Sequence, residues 1–232
     1  MRVDVAFTPG EEGGAPTGIV VDVIRATSTI CQALAAGYER VYCTSEVEEA
    51  RRLREELGGG VLGGERRNVL IPGFDLGNSP REYLQARDGP LILTTTNGTR
   101  AIVSAAARCA RVLVGSLLNL SAVVEAARRD GEDVLVLCAG VQGALALDDA
   151  YVAGRIVQEL GGERTDAAEA AARLAATWSG AEEAFRASRS GRNLLENAPE
   201  LEADLPFCAR ESALQVVPRL VAMRDGVAEV GR

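Results

Sequence analysis

A chain of 232 residues with 33 acidic and 25 basic residues has a formal net charge of −8, and every one of the basic residues is arginine. The absence of Lys and His excludes a Schiff-base or P-loop lysine, an imidazole general base, a phosphohistidine and histidine metal ligation. The acidic balance weighs against nucleic acid as the main partner, because a phosphate backbone needs a positive field.

Apolar runs of strand length alternate with helical periods along the chain, which predicts a layered α/β/α fold with a largely parallel or mixed central sheet. Residues 3–7 alternate as a first strand, and a Gly/Pro-rich loop follows over 9–16. Residues 18–24 form an apolar strand broken by Asp22, and 27–36 a helix stopped by Gly37. A strand at 41–44 leads into a charged amphipathic helix over 46–57. Val61 and Leu62 then begin a short strand that runs into Gly63-Gly64-Glu65-Arg66-Arg67. Residues 68–79 show no period and read as a long ordered loop, a place where function concentrates. Pro80 opens a short helix to residue 86. Strand and helix pairs recur at 91–95 and 99–107, at 112–115 and 118–129, and at 134–138 and 145–160. Residues 166–187 read as one or two helices; after Ser188 the pattern weakens into a loop-rich end punctuated by Gly191, Pro199, Pro206 and Pro218.

No linker or repeat divides the chain, so residues 1–232 read as one domain, with two closely packed lobes as the variant. The charged start leaves no secretory apolar region, and the stretch over 112–124 is too short for a bilayer; a cytoplasmic protein with no membrane contact is expected. The five scattered cysteines include no C-x-x-C pair and read as buried apolar residues. Oligomeric state is left open, a homo-oligomer included.

Three junctions carry chemistry, each at a strand end just before a helix, where open α/β sheets bind ligands and helix amino termini offer free N–H groups. In the first, Asp22 stands inside an apolar strand and is followed by Arg25, Thr27 and Ser28. A carboxylate there needs a cation or hydrogen bonds, so the segment reads either as an Asp22–Arg25 pair with Thr27 as a plain helix cap, or as a metal-binding carboxylate beside an anion-binding arginine. In the second, Thr94-Thr95-Thr96-Asn97-Gly98-Thr99-Arg100 offers hydroxyls, backbone amides and a guanidinium to one anion. In the third, Cys138-Ala139-Gly140 precedes Asp148 and Asp149, which suit either a helix dipole or a hard cation. Glu65 and the loop with Asp75, Asn78 and Ser79 add further oxygens. Carboxylates without His, beside arginines and helix-terminal hydroxyls, suit Mg²⁺ rather than Zn²⁺, and point to a Mg²⁺-dependent enzyme acting on a small, multiply anionic, phosphorylated metabolite.

At these residues the chain resembles the 2-phosphosulfolactate phosphatase (ComB) family. The likeness rests on V-D-V-I-R-A-T-S-T-I at 21–30, G-E-R at 64–66, G-F-D-L-G-N-S-P at 73–80, T-T-T-N-G-T-R-A at 94–101, C-A-G at 138–140 and L-D-D-A at 147–150. Ser188, Gly191 and Arg192 look like the family's C-terminal S-x-x-G-R element. The resemblance implies a Mg²⁺-dependent hydrolase that converts 2-phospho-3-sulfolactate to 3-sulfolactate and phosphate, a step towards coenzyme M. It also implies an α/β fold unlike the better-known phosphatases. In agreement, no cysteine opens a C-x₅-R element, and Ile24 stands where a D-x-D motif would need a second Asp. Asp148 departs from the family's usual Glu, and Arg67-Asn68-Val69 follows G-E-R where glycine and basic residues are usual.

On this reading Asp22, with Glu65, Asp75 or Asp149, holds Mg²⁺, and Asp22, Arg25, Asn97 and Arg100 form the catalytic set. Thr27, Ser28, Asn78, Ser79, Thr94, Thr95, Thr96, Thr99 and Arg192 complete the substrate site. The rival readings are a non-catalytic binding protein for small phosphorylated or sulfonated anions and, with less support, a phosphoryl transferase.

Overall fold

The computed structural model describes residues 1–232 throughout. From the amino terminus, β1 (Arg2–Ala6) and β2 (Ala15–Val21) are followed by α1 (Ala26–Ala36), β3 (Arg40–Thr44), α2 (Val47–Glu56), β4 (Val61–Arg66) and the two-residue β5 (Val69–Leu70). A 3-10 turn at Pro80–Tyr83 precedes β6 (Leu91–Thr94), α3 (Gly98–Ala106), β7 (Cys109–Gly115), α4 (Leu120–Arg128), β8 (Val134–Cys138) and α5 (Leu147–Leu160). The rest comprises β9 (Glu163–Arg164), α6 (Asp166–Ala176), α7 (Ala181–Ala187), α8 (Arg189–Asn197), α9 (Asp204–Cys208), β10 (Arg219–Arg224) and β11 (Val227–Gly231). No helix is long and apolar enough to cross a membrane.

One mixed sheet runs β5-β4-β6-β3-β11-β10-β7-β2-β8-β1-β9. It contains two parallel blocks, β4-β6-β3 and β7-β2-β8-β1-β9. The β10–β11 hairpin joins them, with β11 antiparallel to β3 and β10 antiparallel to β7. The layered, mostly parallel fold expected from the alternation of strands and helices is what forms.

Strand alternation divides the core into layers. In β8, Val134, Val136 and Cys138 pack with Val152, Ile156 and Val157 of α5 and Ala168, Ala171 and Ala172 of α6. On its opposite face, Leu135 and Leu137 join Ile30 and Leu34 of α1, Ala101, Ile102 and Ala105 of α3, and Leu91 and Leu93 of β6. The helices α1 and α3 therefore share one core with strands of both blocks. Strands buried on both faces need apolar side chains at every position, which accounts for the continuous Val-Leu-Val-Leu-Cys run of β8.

The carboxyl-terminal end differs from expectation. Residues after Ser188 form two helices and a hairpin rather than a loop-rich tail. Arg224 pairs with Val227 across Asp225 and Gly226, whose φ values of 48° and 86° are those of a two-residue turn of the mirror-image type. The segment over 68–79, expected as a loop, opens instead with the two-residue β5, which pairs with the end of β4, and only its remainder is an ordered loop. Ile71, Phe74 and Leu76 are buried, and the Tyr83 hydroxyl donates to the Gly77 carbonyl at 2.6 Å. All five cysteines are free and buried.

Candidate active site

The turn after β2 is built by its own hydroxyls. Thr27 Oγ1 accepts from the Asp22 N–H at 3.1 Å and donates to the Asp22 carbonyl at 2.9 Å, while Ser28 Oγ donates to the Val23 carbonyl at 2.8 Å. These bonds close the step from β2 into α1 and leave the Asp22 carboxylate beside the first N–H of the helix, with Oδ1 3.4 Å from Ala26 N. Asp149 braces the same turn from α5: its Oδ1 accepts from Val23 N at 2.9 Å and its Oδ2 from Gly140 N at 3.0 Å. One carboxylate thereby ties the ends of β2 and β8 together.

The turn after β6 is made the same way. Thr94 and Thr44 share a hydroxyl bond of 2.8 Å, Thr99 Oγ1 donates to the Thr44 carbonyl at 3.0 Å, and Thr95 Oγ1 accepts from Thr99 N at 3.3 Å. At the start of α8, Ser188 Oγ accepts from Gly191 N at 2.9 Å and fixes the helix phase.

Asp22, Arg25 and the Thr95, Thr96 and Asn97 turn meet in one cavity of about 380 Å³. Glu65, Arg67 and Asn68 line it from the turn between β4 and β5, Asn78 from the long loop, and Arg189, Ser190, Asn193 and Asn197 from α8. Only two of its 16 lining residues are hydrophobic, so it suits a small polar or charged ligand rather than an apolar one. Three guanidiniums and two carboxylates face this space, which reconciles a negative protein with a local anion site.

The electrostatics follow from burial. Desolvation, then the neighbouring Asp148 and, more weakly, Glu65 push the Asp22 carboxyl up to about 7, against the Ala26 N–H and Arg25. Burial pushes Asp148 up to about 6, tempered by the Ser190 and Ser188 hydroxyls. Asp149 is also raised, first by burial and then by Asp148 and Asp22. A group of carboxylates that disfavours its own ionisation suits a cation or a proton.

Of the residues singled out in the sequence, Asp22, Arg25, Glu65, Asn78, Thr95, Thr96 and Asn97 reach the cavity. Thr27, Ser28, Thr94, Thr99 and Asp149 stand behind its wall, their polar atoms bonded to the turns they shape. Ser79 also lies behind it and donates to Asp204 Oδ1 at 2.6 Å. Three residues lie elsewhere. Asp75 is half exposed, with Oδ2 accepting from Leu62 N at 2.9 Å and 3.5 Å from Arg54. Arg100 is exposed on α3 and does not line the cavity. Arg192 is exposed and donates to the Ala187 carbonyl. With Ser188 as cap, the cavity-facing positions of α8 are 189, 190, 193 and 197, and Arg192 falls on another face.

No group of three or more Asp, Glu or Cys side chains converges as a metal cage. Asp75 and Asp149 do not line the cavity, so its carboxylates are Asp22, whose Oδ1 lies 3.4 Å from Ala26 N, and Glu65, whose Oε2 accepts from Asn68 N at 2.7 Å; Asn78 Oδ1, buried and without a donor, belongs to another lining residue. One or two carboxylates, an amide oxygen, waters and a substrate phosphate are the ligands Mg²⁺ takes, since it seldom relies on an all-protein cage. The residues present therefore fit that ion.

Sequence reasoning missed Asp204 and the α8 face. Ser188 followed by a period placing positions 190, 193, 194 and 197 on neighbouring faces was the available signal for α8; a single Asp in a Pro-punctuated segment gave none for Asp204.

Fold and cavity together define a layered α/β protein with a charged, small-molecule-sized site at its strand-to-helix turns. The chain belongs to the 2-phosphosulpholactate phosphatase family, whose profile matches residues 7–222. It is 40% identical over 228 residues to a protein of Thermus thermophilus, covering 95% of this chain and 94% of that one. Similar relatives occur in Symbiobacterium thermophilum (39% over 224 residues; 92% and 95% covered) and Carboxydothermus hydrogenoformans (36% over 225 residues; 94% and 92%). All three are named probable 2-phosphosulfolactate phosphatase.

Proposed function

We propose that this chain is a cytoplasmic, Mg²⁺-dependent phosphomonoester hydrolase. Its reaction on this reading converts 2-phospho-3-sulfolactate, or a closely related phosphorylated 2-hydroxy acid, to the free acid and phosphate, as in coenzyme M biosynthesis. The observation that carries the reading is the meeting of Asp22 and Arg25, at the start of α1, with Thr95, Thr96 and Asn97, at the start of α3, in one polar cavity. The family and the names of the relatives support the same substrate class.

The residues divide the work by chemistry. Arg25 and the Thr95 to Asn97 turn hold the phosphoryl oxygens, the guanidinium as a planar donor fork and the turn through hydroxyl and amide donors. Arg67 and Arg189 take the remaining anionic groups, carboxylate and sulfonate. Asp22 and Glu65, the two carboxylates of the lining, would hold Mg²⁺. When bound, the ion offsets phosphoryl charge in the transition state and acidifies a water. With neither His nor Lys in the chain, the proton of the attacking water leaves to a carboxylate or to solvent.

Replacing Asp22 tests the assignment. Asp22→Asn should lose at least 10²-fold in Mg²⁺-dependent phosphate release while keeping its fold; near-normal turnover would remove Asp22 from the site.

A further inference from the structure

Asp204 opens α9 and has no exposed surface, and its Oδ2 accepts from Arg25 Nη1 at 2.8 Å across 179 positions of sequence. Its other oxygen accepts from Ser79 Oγ at 2.6 Å, so both oxygens are fixed from different segments. Stability alone is a weak reason for such a pair, because a buried ion pair is often matched or bettered by apolar residues of the same volume.

Geometry supplies a stronger reason. A guanidinium is a rigid plane, and anchoring one nitrogen fixes the direction of the others. Arg25 lines the cavity, one of its nitrogens is held by Asp204, and its Nη2 has no partner in the protein. The anchor is itself anchored, since Ser79 limits rotation of the carboxylate that holds Arg25. Ser79 directly follows Asn78, another cavity residue with an unpartnered buried oxygen.

We propose that Asp204 is a positioning residue for Arg25: it holds the guanidinium in the orientation that presents Nη2 to an anionic oxygen of the ligand, and Ser79 holds Asp204. The functional part of this inference rests on the phosphatase reading above. The anchoring part concerns the side chains alone and is measured separately.

The full chain, labelled with ¹⁵N-arginine, reports the anchoring directly. Arg25 side-chain signals are assigned by their loss in Arg25→Lys. Hindered rotation of the guanidinium gives resolved Nη signals in the wild type. They should merge in Asp204→Asn and broaden in Ser79→Ala.

Turnover of 2-phosphosulfolactate then separates positioning from simple packing. Asp204→Asn should lower kcat/KM about 10²-fold, the scale of a misplaced group, but under threefold when added to Arg25→Lys. Ser79→Ala, the milder change, should lower it about tenfold and carries the test if Asp204→Asn does not fold. Resolved Arg25 signals that persist in the variant that folds, or an equal loss in both Arg25 backgrounds, would overturn the proposal. A wild type that releases no phosphate defeats the activity instead, and the Arg25 signals still decide the anchoring.

Discussion

Gly98, the first residue of α3, lies so close to Ala26, the first residue of α1, that a methyl group on it would stand 2.5 Å from the Ala26 Cβ. The same methyl would stand 3.1 Å from Asp22 Oδ2 and from Thr95 Oγ1. The absent side chain is what lets two helix amino termini converge on one cavity, where their free N–H groups and dipoles favour an anion. Gly98→Ala should therefore act on both stability and function. The expected outcome is a loss of about 1–3 kcal/mol in denaturant unfolding and at least a tenfold fall in kcat/KM. Wild-type values for both would mean that the two turns are not held together there.

Two arginines separate location from charge. Arg189 lines the cavity on α8, whereas Arg100 is exposed on α3 although it belongs to the Thr-rich motif. Arg189→Ala should raise KM by about tenfold or more, the loss of one charge-assisted contact, while Arg100→Ala should leave kcat/KM within about threefold. Steady-state kinetics on the two purified variants checks both.

Buried carboxylates give the metal-free protein a pH signature. Asp148 is raised from 3.8 to about 6, so between these values the folded protein binds more protons than the unfolded chain. Its contribution is present below pH 4 and is lost as pH rises through 6. Asp148→Asn removes this penalty. In EDTA at pH 8 it should be more stable than the wild type by about 3 kcal/mol, and its melting temperature should change less between pH 4 and 7. An unchanged pH profile would show that Asp148 titrates normally.

The cysteines should be inert. Burial pushes the thiols of Cys31, Cys43 and Cys208 up to about 12 and that of Cys138 well above its ordinary value, and Cys109 is buried as well. A thiol-specific reagent should label none of the five in native protein at pH 8 within minutes and all five after denaturation.

The turns at Asp22 and at Thr94 to Asn97 were legible because polar residues interrupt an apolar run just before a helix, although the strand expected over 18–24 ends at Val21 and Asp22 lies in the turn beyond it rather than inside the strand. Which hydroxyls face the ligand was not legible. Thr27, Ser28 and Thr99 use theirs on backbone carbonyls, a choice set by local backbone geometry that the residue type does not reveal. Asp149 and Asp75 carry carboxylates as Asp22 does, and only the fold shows that they lie outside the cavity lining, bonded to backbone N–H groups. The β10–β11 hairpin was legible in principle, since Asp225-Gly226 between alternating residues is a strong turn signal. Its place in the sheet, between β3 and β7, depends on contacts remote in sequence. Asp204 meets Arg25 only through tertiary structure, and no local pattern marks it.

Phosphate release from a panel of phosphorylated 2-hydroxy acids, with Mg²⁺ and with EDTA, tests the central claim most directly. The arrangement of Asp22, Glu65 and three cavity arginines predicts Mg²⁺-dependent release that is highest for 2-phosphosulfolactate and abolished by EDTA. Binding of these anions without any phosphate release when Mg²⁺ is supplied would contradict it and identify a binding protein instead.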